Sequence, residues 1–360
     1  MTATTKSLRQ ASEYGQYIHR KWLACMALLV ILLAACVLSL SVGSSGLSVL
    51  DILKALIGQG TQQSRTIIWN VRMPRIATGV GVGIALAMTG CVMQNVLRNP
   101  LASASTLGVT QGASFGAAFA IVHLGAGVQI GNAGAATGIA VTNPYTVTLC
   151  AFLGGISTTV VILGLSRARH VTPATMVLAG VALSSLFTGA TTLIQYFTDD
   201  VLISTVVYWT FGSLGRAGWS EIALIFLLSA LAFLYFTYNR WNYNAMESGA
   251  HTAKSLGVPV DALILVSMLV CALISAVSVA FVGCINFIGL LAPHMVRRFV
   301  GNDYRFLLPC SALMGAVLMV AADIVSRTLV SPAVLPIGAL TSFLGAPLFL
   351  YMIVKKGNIR

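Results

Sequence analysis

Apolar runs recur along the chain, and polar residues collect between them rather than within them. A helix needs about 20 apolar residues to cross the hydrocarbon of a bilayer, so charge-free runs are the units to count. Residues 22–50 hold one span, near Trp22–Val42, and residues 76–97 hold a second. The run 99–166 is too long for one crossing. The stretch GAGVQIGNAGAATGIAVTNP (125–144) divides it, which leaves spans near 106–124 and 145–165. Residues 174–197 and 221–238 give two more. The run 262–296 again exceeds one crossing, and a turn at Gly283–Asn286 splits it into a full span and a short one that reads equally as a re-entrant segment. Residues 306–325 and 337–354 complete the series. The pattern predicts an all-α polytopic membrane protein with about ten transmembrane helices.

Composition agrees with a bilayer location. Of 360 residues, 57% are hydrophobic and only 8% charged, whereas a soluble domain carries roughly a quarter charged residues. The 21 Lys and Arg against nine acids give a net charge of +12. A basic excess in such a chain flanks spans on the cytoplasmic side. No basic run with interleaved aromatics points to nucleic acid. With the N-terminus inside and ten alternating crossings, 15 Lys and Arg fall on the inner side. Six fall outside: Lys54, Arg65, Arg72, Arg75, Arg216 and Arg327. This bias supports ten spans with both termini cytoplasmic. Residues 1–21 then form an N-terminal tail, 22–356 one transmembrane domain with a cytoplasmic segment at 239–260, and 357–360 a C-terminal tail. The motif LLAAC (32–36) looks like a lipoprotein cleavage box, but apolar sequence continues through Val42, as an uncleaved first helix requires. The seven cysteines fall in apolar stretches, none at CxxC spacing, and read as small hydrophobes rather than a disulfide framework or a zinc site.

Ionisable groups inside the spans narrow the function. Only Asp323 lies within one, four residues before Arg327, which suits an intrahelical ion pair. An ion-coupled carrier needs more such groups at membrane depth. Neither paired carboxylates nor a nucleophile–base pair supports a membrane enzyme, and no phosphate-binding G-x-x-x-x-G-K-[ST] loop is present. The glycine-rich TGVGVGIALAMTG (78–90) and VTQGASFGAAF (109–119) suit close helix packing. One sizeable polar segment lies on the inner side, NRWNYNAMESGAHTAKSLGVPVDA (239–262). Its middle is amphipathic, with Gly257 as helix C-cap and Pro259 as breaker, and it suits a short helix on the cytoplasmic face that docks a partner.

Several stretches together carry a resemblance. They include NVRMPRIATGVGVGIALAMTGCVMQNVLRNPLASASTLGVTQGASFG (70–116), YWTFGSLGRAGW (208–219), AKSLGV (253–258), GCINFIGLLAPHMVRRFVGNDYRFLLP (283–309) and LPIGALTSFLGAPLFLYMIVKK (335–356). The chain resembles the FecCD-type permease subunits of ABC importers for iron–siderophore complexes, haem and cobalamin. The resemblance implies a dimer with the pathway at the subunit interface, the partner being the same or a homologous chain. It also implies two cytoplasmic ATP-binding cassette subunits that hold ATP and Mg, and a periplasmic or lipid-anchored substrate-binding protein. The chain itself is then no enzyme and binds no cofactor or metal; it sits in the bacterial inner membrane and moves an iron chelate, foremost a ferric siderophore, with haem or cobalamin as alternatives. An ion-coupled secondary carrier is the competing class.

Residue by residue, the resemblance implies ATPase coupling at Glu247, Ser248, Gly249, Ala250, His251, Leu256 and Gly257. Arg72, Arg75 and Arg327 match external arginines that receive acidic residues of the binding protein; membrane-interface anchoring suits Arg72 and Arg75 too, and pairing with Asp323 suits Arg327. Thr172, Pro173 and Ala174 match an inner gate, where steric closure is expected. Asn99-Pro100 and Pro293-His294 read as span ends at the inner face, with Arg297 beyond them.

Overall fold

The computed structural model describes residues 3–43, 48–126, 143–169, 172–331 and 333–357. Every regular element among them is helical. In chain order these are α1 (Ala3–Ser41), α2 (Val49–Leu56), α3 (Gln62–Thr66), a π-helical turn (Ile67–Arg72), α4 (Met73–Val96), α5 (Val109–His123), α6 (Pro144–Arg169) and α7 (Pro173–Tyr196). They continue with α8 (Asp200–Thr210), α9 (Trp219–Tyr238), α10 (Arg240–Glu247), α11 (Ala250–Ser255), α12 (Val260–Val282), α13 (Ile288–Val300), α14 (Tyr304–Thr328) and α15 (Ile337–Gly357).

Seven helices are long and apolar enough to cross a membrane: Gly15–Ser41, Gln62–Val96, Pro144–Arg167, Pro173–Tyr196, Trp219–Tyr238, Val260–Val282 and Tyr304–Thr328. The other three predicted spans are helical but shorter: α5 has 15 residues, α13 has 13, and the apolar part of α15 runs over Ile337–Tyr351. The stretch read as a tail before residue 22 is helical from Ala3 onward, continuous with α1. Most of the dividing stretch 125–144 lies outside the described residues. The segments between the long helices also hold helices that the hydropathy pattern did not show, namely α2, α3 and α8.

The centre of the bundle is α4, which packs on α14, α12, α13 and α9. It is buried along nearly its whole length, and the reason is its glycines. A Cβ on Gly83 would lie 2.5 Å from the Gly315 carbonyl oxygen of α14. The same backbone-to-backbone contact joins α5 and α6 through Gly112 and Gly154. Small residues allow this approach where lipid supplies no hydrophobic drive between helices.

Two local readings change. Pro293 does not end a span: it lies inside α13, which runs on to Val300. A proline removes the N–H that would serve the carbonyl four residues back. That carbonyl, Gly289, instead accepts from Gln94 Nε2 of α4 at 3.5 Å. The break before α13 is where the sequence placed it, with Gly283 at φ +84° and Phe287 in the left-handed region at φ +66°. The second change concerns cysteine. Cys25 of α1 and Cys310 of α14 form a disulfide across a separation of 285 residues. No short spacing announces such a pair, because the two helices meet only in the fold.

Candidate functional site

At one end of the bundle the polar segment forms two short helices rather than one. α10 ends at Glu247, and Gly249, at φ +112°, turns the chain into α11. α11 closes as expected. Gly257 takes φ +83°, its N–H donates to the Lys254 carbonyl, and the Val258 N–H donates to the Ala253 carbonyl. These paired bonds form a Schellman cap. His251, Thr252, Lys254, Ser255, Leu256 and Gly257 are exposed, while Ala253 is buried.

This platform is keyed into the bundle. The Glu247 carboxylate accepts from Asn95 Nδ2 of α4 at 3.0 Å and from Asn302 Nδ2, between α13 and α14, at 3.2 Å. Asn95 also donates to the Tyr243 carbonyl at 3.1 Å, and Tyr243 shares a hydrogen bond of 2.8 Å with Ser267 of α12. Asn244 accepts from the Tyr304 N–H at 2.8 Å and donates to Asp303 at 3.2 Å. Arg297 donates to Gln94 Oε1 at 2.6 Å. A displacement of α10 therefore loads α4, α12 and the start of α14 together. Burial alone would raise the Asp303 pKa, but hydrogen bonds from Arg305 and Asn244 outweigh it and hold the carboxyl below its usual value.

Of the other residues assigned to this end, Asn99 Oδ1 accepts the Leu101 N–H at 2.9 Å in the turn after α4, beside exposed Pro100. His294 is half-buried with its ring 6.2 Å from that of Phe349. Thr172 is the N-cap of α7, its hydroxyl accepting from the Thr175 N–H, and Pro173 takes the first helical position. Thr172 and Ala174 are exposed at that helix start.

The opposite end gathers the three arginines assigned to docking. The Asp323–Arg327 pair expected from their spacing forms, and Arg75 joins it. Asp323, 2% exposed, pairs with Arg75 at 2.6 Å and with Arg327 at 2.9 Å. Arg327 further donates to the Val42 and Ser39 carbonyls at 2.9 and 3.2 Å, and Arg72, only 5% exposed, donates to the Leu40 carbonyl. The last carbonyls of a helix have no partner within it. Arg72 and Arg327 supply them for α1, so both guanidinium groups anchor the first span.

Sequence reasoning missed Gln94, Asn95, Asn302 and Arg216. A signal existed for the first two, since amides in an otherwise apolar span must find partners. Arg216 has no such signal; it lines a cavity of ≈ 580 Å³ beside Arg75. Among the described residues, no group of three or more His, Cys, Asp or Glu side chains is placed to hold a metal ion.

The model of the FecCD transport family matches residues 31–355. The chain belongs to the FecCD transport family. It is 49% identical over 343 residues to MJ0087 of Methanocaldococcus jannaschii, an ABC transporter permease assigned by inference, covering 95% of this chain and 97% of that one. It is 34% identical to the iron(3+)-hydroxamate import permease FhuB of Bacillus subtilis, covering 96% and 88% of the two chains. A solved structure described as an inward-facing ABC transporter of metal-chelate type, itself assigned by inference, superposes with a TM-score of 0.79 at 31% identity, covering 92% and 98%. This FecCD chain is thus the multi-pass permease of an ABC importer, a class that works with ATPase and substrate-binding partners.

Proposed function

We propose that the chain carries an iron chelate, foremost a ferric siderophore, across the bacterial cytoplasmic membrane by ten crossings with both termini inside. Haem and cobalamin are the alternative cargoes. The observation that carries the coupling part is the α10–α11 platform: exposed on one side, and tied through Glu247 to α4 and to the start of α14. Two ATPase subunits, holding ATP and Mg, press on Glu247–His251 and Leu256–Gly257, and the load passes into the spans.

The pathway runs along α7, at the interface with a second permease subunit of the same or homologous sequence. In support, α7 is the least buried of the seven long helices and packs chiefly on α5. Its exposed face holds Ser185, Thr188 and Thr192 at helical spacing among Val181, Leu186 and Leu193. Such a mixed face suits a polar chelate better than acyl chains. Thr172, Pro173 and Ala174 narrow the inner end by bulk, at the cap of the same helix.

External docking to a substrate-binding protein keeps Arg72, Arg75 and Arg327 as its region. Held by Asp323 and by the carbonyls at the end of α1, they keep in place the surface that the partner meets. Ion-coupled transport gains nothing from Asp323, whose carboxylate is held by two arginines.

The test uses proteoliposomes with the cognate ATPase and binding protein, offered a ferric trihydroxamate, haemin and cobalamin. ATP-dependent uptake of the trihydroxamate is expected; preference for cobalamin overturns the cargo assignment. Glu247→Ala should lower transport per ATP hydrolysed about tenfold, since it removes the hydrogen bonds that tie α10 to α4 and to the start of α14. Unchanged stoichiometry removes Glu247 from the coupling route.

A further inference from the structure

The loop between α8 and α9 folds back onto the end of α12 and the start of α15. The Ser213 N–H donates to the Val282 carbonyl at 2.7 Å, and the Gly338 N–H to the Phe211 carbonyl at 3.0 Å. Bare backbone makes the contact. A Cβ on Gly283 would lie 2.5 Å from the Trp209 carbonyl oxygen and 2.8 Å from the Gly212 Cα. A Cβ on Gly212 would in turn lie 2.8 Å from the Cys284 carbonyl oxygen. These contacts make a rigid floor, and the cavity of ≈ 580 Å³ opens beside it. That volume falls within the roughly 300–1,000 Å³ of small-molecule sites.

Two cations line the cavity, and they are not equivalent. Arg75 is spent on Asp323. Arg216 has no carboxylate partner among the described residues. Its Nη2 donates to the Tyr208 carbonyl at 3.4 Å, its guanidinium lies 5.8 Å from the Trp209 ring centre, and Nη1 sits 3.2 Å from where a Gly283 Cβ would stand. Backbone and ring therefore hold the group, while most of its five N–H donors stay unspent. Arg216 is exposed at the mouth of the cavity, and the partial desolvation by its walls lowers the guanidinium pKa. A shifted arginine is still cationic at neutral pH. A fixed, uncompensated guanidinium beside aromatic walls is a receptor for a carboxylate attached to a flat or apolar body.

We propose that this cavity is an anion subsite at the external mouth of the transport path, where Arg216 receives an oxyanion group of the cargo and Tyr208, Trp209 and Phe211 flank its body. The inference rests on the importer reading. A concave site on a glycine floor suits a compact chelate rather than a protruding side chain of the binding protein. It also gives the permease a preference of its own: chelates with free carboxylates gain a contact at the mouth that neutral ones lack.

The test is binding to the full chain in lipid nanodiscs, read by quenching of tryptophan fluorescence. Ferric citrate is the anionic probe and a neutral ferric trihydroxamate the control, with Trp209→Phe identifying the reporting ring. Arg216→Gln should weaken ferric citrate binding at least tenfold and leave the trihydroxamate unchanged. Arg216→Lys should fall between, since it keeps charge but loses the planar fork. No saturable quenching by ferric citrate, an unchanged affinity in Arg216→Gln, or equal losses for both probes would each overturn the subsite. Loss of binding-protein capture in Arg216→Gln with citrate binding intact would also overturn it, in favour of docking. The assay contains no ATPase. Failure of ATP-driven uptake by the wild-type assembly with citrate binding preserved therefore removes the importer reading and not the binding site.

Discussion

Replacing Asp323 by alanine strands two guanidinium groups at the end of α14. The acid is 2% exposed, and its partners Arg75 and Arg327 are 14% and 11% exposed, at 2.6 and 2.9 Å. Opposite charges about 4 Å apart attract by about 4 kcal/mol at an effective dielectric constant of about 20. Desolvation offsets much of that gain while the pair is intact. Removing only the acid restores none of the lost hydration, so the cost is about 3–5 kcal/mol. Arg327 also holds the end of α1, so the same variant should loosen the first span. SDS-induced unfolding of the detergent-solubilised chain, followed by circular dichroism, reads the change. Asp323→Ala should lose about 4 kcal/mol, and the double variant Asp323→Ala with Arg75→Leu should lose less than Asp323→Ala alone, because one stranded charge is gone. A single variant within about 1 kcal/mol of wild type would refute the account of this cluster, since an exposed, screened pair is worth about that much or less.

Other outcomes follow from particular contacts. A Cβ on Gly90 would run into the Gly289 carbonyl of α13, so Gly90→Ala should cost about 3 kcal/mol, the upper end of overpacking, in the same unfolding assay; a neutral result would mean that the α4–α13 contact is loose. The Asp303 carboxyl is held below its usual pKa by Arg305 and Asn244 against the effect of burial. Its stabilising contribution is therefore complete above the unfolded value of about 3.9 and is lost as pH falls through the lower folded value. Asp303→Asn should flatten this acid limb in unfolding titrations below about pH 4, and an unaltered limb places the titration elsewhere. Breaking the Cys25–Cys310 bridge with Cys25→Ser should lower stability by about 2–4 kcal/mol and leave Cys310 alkylatable after denaturation without reductant. Equal alkylation of the wild-type chain would show that the bridge does not form.

What the sequence made legible was local. The turn at Gly283 and the cap at Gly257 are each decided by a few adjacent residues, and the structure has them in those places; the span read as 174–197 forms as Pro173–Tyr196. The close-packing reading of the glycines also holds, at Gly83 against Gly315 and Gly112 against Gly154. Illegible features depend on residues that meet only in the fold. Arg72 and Arg327 look like external cations in the chain, yet the end of α1 arrives beside them and takes their donors. Pro293 looks like a helix stop, but a glutamine from another helix serves the carbonyl it leaves open. The Cys25–Cys310 pair is separated by most of the chain. Hydropathy alone also passes over amphipathic pieces such as α2 and α8, which are too short to read as spans.

The central claim is that this chain is a conduit moved from its α10–α11 face by an ATP-hydrolysing partner. It is tested most directly in vesicles loaded with the chain alone or with the cognate ATPase and binding protein, by following a ferric chelate against its concentration gradient. Accumulation should require both partners and ATP, should persist when the proton gradient is collapsed, and should stop when Glu247–His251 is replaced by a Gly/Ser linker. Uphill uptake by the chain alone on a proton gradient would contradict it.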